Sequence, residues 1–292
     1  MKKIVLCLGL ALSFTISNVY AAVNWLSYNI RVNNHKLHYY QSGHGDAVFL
    51  LTGYATTANF WNKNFVDCLA QNHTVYLVDY WGINTDEHTP GDKSIKAMAD
   101  DMFMLSKVLH VKKLVYIGWS MGGAVAQQIS FDYPDNIGKV VLIAPLTMHN
   151  QPNHDNVSDN EAARSLRTYN DVLNYVFDNN LYDYHPKDLS FYKRGLFDAH
   201  DKLFISTKIS NNQVFALNSW TSDPETKQEA KNSVAQYLFL VPLQDKMLIP
   251  WQTIKDAKTF PHSTIVKFEG SGHNISMQAP AQACEQINNF ID

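Results

Sequence analysis

Residues 114–129, LVYIGWSMGGAVAQQI, decide the fold of this chain. An apolar run ends at Gly118-Trp119-Ser120-Met121-Gly122, and a run with helical spacing follows at once. A serine between a strand and a helix needs a cramped backbone, and flanking glycines relieve the crowding around it. The helix that follows directs its first N–H groups toward this turn, where they favour a developing negative charge. The stretch therefore predicts a nucleophile, Ser120, although a purely structural turn would use the same residue types.

The rest of the chain mostly alternates strand-like runs with helix-like runs. Short apolar runs typical of buried parallel strands occupy 47–53, 74–80, 113–119, 139–145, 236–242 and 263–269. Helical spacing is found at 57–70, 93–110, from 121, from about 251 and at 280–290. An opening hairpin is predicted over 25–32 and 35–41. This alternation predicts an α/β fold, with a mainly parallel eight-stranded sheet covered by helices on both faces.

Residues 147–233 interrupt the alternation. The segment is polar, rich in Asn and Asp, and carries scattered aromatic residues without a convincing buried strand. It is too long for a plain loop. We predict an inserted, mostly helical cap, with residues 22–146 and 234–292 forming the core.

The first 21 residues have the layout of a secretory signal peptide. Lys2 and Lys3 precede a short apolar run, and Val19-Tyr20-Ala21 provides a cleavage site after Ala21. The apolar run is short for an anchor helix, which is the rival interpretation. We therefore expect an exported protein, periplasmic or extracellular, with no membrane span after cleavage.

Composition excludes several classes of function. Of 292 residues, 46% are hydrophobic and 17% charged, which is typical of a globular protein rather than a disordered one. A net charge of −3 without a Lys/Arg cluster argues against a nucleic-acid partner. The chain has neither a His-Glu-x-x-His run nor a dinucleotide-binding fingerprint, so we expect no metal and no organic cofactor.

A serine nucleophile needs a base and a group that orients the base. His273 lies in EGSGHNISMQAP, a glycine-rich loop directly after the run at 263–269. Asp245 follows the run at 236–242, which gives the chain order Ser, Asp, His. Asp79 also ends a strand-like run, but it precedes the serine, and we assign it a structural role.

Two backbone N–H groups are needed to stabilise an oxyanion. Met121, directly after the serine, is predicted to supply one. The loop LTGYATTANFW, after the run at 47–53, is predicted to supply the other from Tyr54. Simple packing of the Tyr54 side chain is the alternative for this residue.

Four segments together resemble the α/β-hydrolase superfamily, in particular its capped serine-hydrolase branch: LLTGYATTANFW, VDYWGIN, GWSMGG and GSGHNISMQAP. The resemblance covers 45–145 and 236–290, and implies an oxyanion loop, a nucleophile elbow and a histidine loop at these places. The chain departs from the pattern at Thr52, where the family often has histidine, and at Gln244, where glycine is common. Trp119 stands where histidine or another residue is frequent, which should alter the packing beneath the elbow.

The same resemblance bears on the cysteines that follow the predicted signal peptide. The superfamily packs its first and last helices on one face of the sheet, and Cys68 and Cys284 fall near the end of the first and within the last. A disulfide between them is therefore possible, and two buried free thiols are the alternative.

The pattern favours a serine hydrolase that cleaves a small-molecule carboxylic ester through an acyl-enzyme. Cleavage of a carbon–carbon bond and action as an aminopeptidase or amidase are alternatives on the same fold. A non-catalytic ligand-binding protein that retains the fold is a further alternative, which the Ser, Asp and His pattern disfavours.

Overall fold

A computed structural model of the chain describes residues 23–84, 93–150, 197 and 205–292. The predicted signal peptide lies outside the described residues. Most of the predicted cap, residues 151–196 and 198–204, also lies outside them.

Eight strands form a single sheet, as the sequence predicts. The strands are β1 (Leu26–Val32), β2 (His35–Gly43), β3 (Ala47–Leu51), β4 (Thr74–Val78), β5 (Leu114–Trp119), β6 (Lys139–Ile143), β7 (Gln236–Pro242) and β8 (Ser263–Phe268). Their order across the sheet is β1-β2-β4-β3-β5-β6-β7-β8. Strand β2 is antiparallel to β1 and β4, and every other pair is parallel. The predicted mainly parallel α/β sheet is thereby confirmed.

The described helices fall between the strands. They are α1 (Lys63–Leu69), α2 (Ile95–Val108), α3 (Met121–Asp132), α4 (Thr207–Ser222), α5 (Pro224–Asn232), α6 (Pro250–Ala257), α7 (Ile275–Gln278) and α8 (Pro280–Ile291). A short 3₁₀ turn, Ala58–Phe60, precedes α1.

The helix predicted over 57–70 is broken into this 3₁₀ turn and α1. Trp61 between them is extended, and the side chain of Asn62 accepts a hydrogen bond from the N–H of Phe65, so that a new helix begins there. The N–H of Ala58 donates instead to Oδ1 of Asp79, at 2.7 Å. At the N-terminus of a continuous helix this N–H would have no intrahelical acceptor, and here the carboxylate of Asp79 accepts it.

The sheet has an apolar core on each face because its central strands alternate their side chains between two layers. In β3, Phe49 and Leu51 pack in the cluster that includes residues of α2 and α3, whereas Val48 and Leu50 pack in the cluster with α1 and α8. All four are buried. The helices on both faces that the alternation of strand-like and helix-like runs predicts are thereby confirmed.

Helices α4 and α5 lie inside the segment predicted as a cap, and they are its two described helices. The indole N–H of Trp220 in α4 donates to Oε1 of Gln128 in α3, at 2.8 Å. Where the segment leaves the sheet, Oδ1 of Asn150 accepts from the N–H of Ile249, at 3.0 Å. Both ends of the segment are thus attached to the core. Among the described residues, no helix is both long and apolar enough to cross a membrane.

Cys68 of α1 and Cys284 of α8 are joined by a disulfide across 216 residues of chain. The two helices pack on one face of the sheet, and Cys284 is fully buried in the core cluster there. The bond connects the first helix of the fold to the last one, so it closes a loop that contains most of the sheet.

Replacing both cysteines with alanine is expected to lower the free energy of unfolding by about 2–5 kcal/mol, because a long loop in the unfolded chain is no longer closed. Urea unfolding of the double variant, beside the wild type with and without reductant, measures the change. The reduced wild type should behave like the double variant. Free Cys68 and Cys284 thiols in the unreduced, denatured wild type would contradict the expectation.

Candidate active site

The parallel strands end at one edge of the sheet, and the predicted site residues follow four of these ends. Tyr54 follows β3, Ser120 follows β5, Asp245 follows β7, and His273 follows β8. Loops at the carboxyl ends of parallel strands form the usual ligand-binding edge of an open α/β sheet. The topology therefore gathers residues that are separated by more than 200 positions in the sequence.

Ser120 occupies a sharp turn between β5 and α3. Its φ of 54° and ψ of −116° lie in a region that is unfavourable for a residue with a side chain. Backbone hydrogen bonds hold the turn: Ser120 N donates to Ile143 O at 3.1 Å, and Leu146 N donates to Ser120 O at 2.9 Å. Ser120 is the N-cap of α3, yet its side chain makes no capping hydrogen bond. The hydroxyl is therefore not used by the helix.

The glycines around Ser120 allow close packing of backbone on backbone. A Cβ atom on Gly118 would lie 2.2 Å from the carbonyl oxygen of Gly122. A Cβ atom on Gly122 would lie 2.1 Å from the carbonyl oxygen of Leu51, at the end of β3. Side chains at these positions would force the elbow away from the neighbouring strand.

His273 and Asp245 form a buried hydrogen-bonded pair. Nδ1 of His273 lies 2.8 Å from Oδ2 of Asp245, and both side chains are almost completely shielded from solvent. The other oxygen, Oδ1, accepts from the N–H groups of Met247 at 2.8 Å and Leu248 at 3.0 Å. These two donors hold the carboxylate in one orientation and leave Oδ2 for the imidazole.

The loops that carry the pair are joined to each other. The N–H of Gln244 donates to the carbonyl oxygen of Ser271, at 3.0 Å. The N–H of Gly272 donates to Oε1 of Gln278 in α7, at 2.7 Å. The departure from the family pattern at Gln244 therefore does not separate Asp245 from His273.

Trp119 connects the elbow to the histidine loop. Its indole N–H donates to the carbonyl oxygen of His273, at 2.9 Å, and the two ring centroids are 5.7 Å apart. The indole also stacks on Phe60, with centroids 5.6 Å apart. Residue 119 thus fixes the backbone of His273 in addition to packing beneath the serine.

Replacing Trp119 with phenylalanine is expected to lower the free energy of unfolding by about 1–3 kcal/mol, because the buried His273 carbonyl loses its donor while the aromatic stacking is retained. Urea unfolding measures the change. Trp25→Phe is the matched control, because it removes an indole hydrogen bond to Asp67 that is only partly buried. Equal losses in the two variants would contradict a special role for the Trp119 contact.

The predicted oxyanion loop lies against the serine. A Cβ atom on Gly53 would lie 3.4 Å from Cβ of Ser120 and 3.1 Å from the Trp119 ring, so the loop touches the elbow directly. Met121 is the first residue of α3, and its N–H therefore has no acceptor within that helix. The side chain of Tyr54 is partly buried and packs against the core, as the alternative for this residue proposes.

Sequence reasoning missed two side chains that hold this loop. The hydroxyl of Tyr80 donates to the carbonyl oxygen of Thr52, at 3.3 Å, and Oε1 of Gln213 accepts from the N–H of Ala55, at 2.9 Å. Tyr80 stands in VDYWGIN, which resembles a loop of the family, and its place two residues after β4 is a signal that the sequence offers. Gln213 lies in the predicted cap and has no local signal.

A second Ser, His and Asp arrangement joins the chain's first hairpin, β1 and β2, to the residue after β4. Oγ of Ser27 is 2.9 Å from Nε2 of His38, whose Nδ1 is 2.8 Å from Oδ2 of Asp79. Asp79 also holds Ala58 N and the side chain of Asn84, at 2.9 Å. Ser27 lies within the regular strand β1, which leads into β2 rather than into a helix, so no oxyanion site accompanies it. We assign this group the structural role predicted for Asp79.

Comparison with curated proteins gives partial matches to named hydrolases. Pimeloyl-[acyl-carrier protein] methyl ester esterase of Proteus mirabilis is 32% identical over 110 residues, 37% of this chain and 40% of that protein. A 2-hydroxy-6-oxononadienedioate/2-hydroxy-6-oxononatrienedioate hydrolase of Comamonas testosteroni is 30% identical over 125 residues, 39% of this chain and 41% of that protein. Uncharacterized mycobacterial proteins match over 30% of their length. The chain therefore spans less than half of these relatives.

Solved structures share the fold over nearly the whole chain. A thermophilic esterase from Thermogutta terrifontis superposes with a TM-score of 0.69 at 20% identity, covering 91% of this chain and 98% of the esterase. The family model described as the alpha/beta hydrolase fold matches residues 46–280. This range contains all five predicted catalytic and oxyanion residues. The chain belongs to the alpha/beta hydrolase fold family.

Proposed function

We propose that this protein is an exported serine hydrolase that cleaves a carboxylic ester through Ser120, His273 and Asp245. One observation carries the proposal: a buried, hydrogen-bonded His273–Asp245 pair shares a sheet edge with a serine that begins α3 at positive φ. The bond from Trp119 to His273 supports this, because it draws the histidine loop to the residue next to the serine. The esterases of Proteus mirabilis and Thermogutta terrifontis among the similar proteins support ester chemistry.

In the first half of the proposed reaction, His273 acts as general base. Oγ of Ser120 attacks the ester carbonyl carbon while its proton passes to Nε2 of His273. Asp245 holds the proton on Nδ1 and stabilises the imidazolium that forms. The N–H groups of Tyr54 and Met121 donate to the oxyanion of the tetrahedral intermediate. Its collapse breaks the ester bond, and the imidazolium protonates the departing alcohol.

In the second half, water replaces the alcohol. His273 removes a proton from the water, whose oxygen attacks the carbonyl carbon of the acyl-serine. Collapse of the second intermediate releases the carboxylic acid, and the imidazolium returns the proton to Oγ of Ser120. The enzyme is restored without a redox change.

Residues 147–233 are proposed to cover the site as a cap, and small-molecule esters are the proposed substrate class. The cap is supported by two hydrogen bonds between α4 and the core, from Ala55 to Gln213 and from Trp220 to Gln128. Export is proposed from residues 1–21, and the Cys68–Cys284 disulfide supports an oxidising compartment.

Hydrolysis of a carbon–carbon bond is the second candidate, favoured by the partial match to the Comamonas testosteroni hydrolase. The same groups suffice for it in principle, because the base, the orienting carboxylate and the oxyanion donors are common to both reactions. A panel of p-nitrophenyl esters of increasing acyl length, assayed beside a 2-hydroxy-6-oxo dienoate, separates the two candidates.

Labelling by a fluorophosphonate tests the proposed nucleophile directly. The folded wild type is expected to gain one phosphonyl group, which tryptic peptide mapping assigns to Ser120. The heat-denatured protein should remain unlabelled, because an isolated serine is a weak nucleophile. A folded wild type without label on Ser120 would overturn the proposal in favour of a ligand-binding protein.

A further inference from the structure

A buried side chain of helix α4 forms a hydrogen bond with the predicted oxyanion loop. Gln213 lies in the middle of α4 and is 1% exposed. Its Oε1 accepts a hydrogen bond from the N–H of Ala55, at 2.9 Å, across 158 residues of chain. Ala55 directly follows Tyr54, the proposed oxyanion donor. The contact therefore joins the predicted cap to the residue next to the site.

The peptide group before Tyr54 is held on its carbonyl side. The hydroxyl of Thr56 donates to the carbonyl oxygen of Gly53, at 3.0 Å. That carbonyl and the N–H of Tyr54 belong to one planar trans peptide, so they point in opposite directions. Fixing the Gly53 carbonyl thus fixes the direction of the Tyr54 N–H.

The peptide group after Tyr54 is held by Gln213. Ala55 has a φ of 58°, in the left-handed region that a residue with a Cβ rarely adopts. Such a conformation persists only where the surroundings determine it. Gln213 stabilises this conformation of Ala55, because its side-chain carbonyl oxygen accepts the Ala55 N–H, which the turn directs toward α4.

Among the described residues, the bond to Ala55 is the hydrogen bond that orients the carboxamide of Gln213. Only its oxygen can accept from a backbone N–H, so Oε1 faces Ala55. The Nε2 group is buried and, within the described part of the chain, finds no acceptor. A buried donor without an acceptor is unfavourable, and an apolar side chain of the same size would pack α4 without introducing one. The feature that explains a glutamine here is the acceptor.

We propose that Gln213 is a positioning residue that holds the oxyanion loop in its catalytic conformation. The inference rests on the proposed function, since it assigns the Tyr54 N–H to the oxyanion. Through Gln213, the cap takes part in the chemistry at Ser120 and not only in enclosing the substrate.

Gln213→Met tests the inference, because methionine keeps the length and the unbranched shape but cannot accept from Ala55. Loss of one oxyanion donor lowers kcat by about 10²–10³-fold, and a loosened donor should cost part of that. We expect kcat for a p-nitrophenyl ester to fall by about 10–100-fold, with KM changed by less than about threefold. Phosphonylation of Ser120 should slow by a similar factor.

Gln213→Glu is the rescue variant, because it retains an oxygen acceptor at the same distance. Its kcat should lie within about tenfold of wild type, well above that of Gln213→Met. Gln213→Asn keeps the amide but shortens the side chain by one methylene, and it should resemble Gln213→Met. Gln213→Asn tests the inference if Gln213→Met does not fold.

Trp220→Phe is the matched control on the same helix. It removes the 2.8 Å bond from α4 to Gln128 of α3 and leaves the oxyanion loop untouched. Its kcat should stay within about threefold of wild type. An unchanged kcat in folded Gln213→Met, or an equal loss in Trp220→Phe, would overturn the positioning role while leaving the proposed hydrolase intact. A wild type that neither turns over esters nor labels at Ser120 would overturn both.

Discussion

Ser120→Ala is expected to lower kcat for p-nitrophenyl esters by about 10⁴–10⁶-fold, the largest effect of any single substitution in this chain. The reason is that the proposed mechanism forms its acyl intermediate on Oγ of Ser120. Oγ is free of a capping role at the start of α3, so its removal withdraws the nucleophile without withdrawing a helix cap. Steady-state hydrolysis assays measure the loss of turnover, and thermal unfolding shows whether the fold keeps its stability.

Ser27→Ala is the matched control for this variant. Oγ of Ser27 lies 2.9 Å from Nε2 of His38, and Nδ1 of His38 is hydrogen-bonded to Asp79. Unlike Ser120, however, Ser27 is exposed on a regular strand. Its removal should leave turnover within about twofold of wild type. Residual fluorophosphonate labelling of Ser120→Ala at Ser27, or undiminished turnover in Ser120→Ala, would contradict the assignment of the nucleophile.

Ser120 can be predicted from sequence because the elbow is a local structure. Gly118 and Gly122 lie within two residues of the serine, and the contacts that require them involve the adjoining β3 and α3 backbone. His273 and Asp245 are also predictable, since each follows a parallel strand of the sheet, and parallel strands place their carboxyl ends together. Strand bounds follow from apolar runs for the same local reason.

The side chains that hold the site could not be predicted in this way. The bond from Trp119 to His273 joins residues 154 positions apart, and the Gln213 bond to Ala55 joins residues 158 apart. Trp119 departs from the family pattern, but the sequence does not indicate its partner, and Gln213 has no local signal at all. A third distant contact lies in the segment predicted as a helix at 57–70, where Asp79 accepts from the Ala58 N–H from outside the segment. Local sequence preferences carry no information about partners so distant in the chain.

Asp245→Asn is expected to lower kcat by about 10⁴-fold, because it places the imidazole proton on the wrong nitrogen. Oδ1 of Asp245 accepts from the N–H groups of Met247 and Leu248, and an asparagine must keep an oxygen in that place. The amide NH₂ then faces Nδ1 of His273 as a donor. The imidazole must accept at Nδ1 and carry its proton on Nε2, where it can no longer take the proton of Ser120. Steady-state kinetics measure the loss.

Asp256→Asn controls for the removal of a buried carboxylate near the same loops. Asp256 of α6 is as deeply buried as Asp245 and is also paired with a histidine, His149, at 2.8 Å. It accepts from the hydroxyl of Thr147 as well, so its replacement should cost stability through the start of the cap segment. Turnover by the folded fraction should nevertheless stay within about threefold of wild type. Since both variants lose a buried charge and only Asp245→Asn disturbs His273, comparable activity in the two would refute the role of Asp245 as the orienting carboxylate.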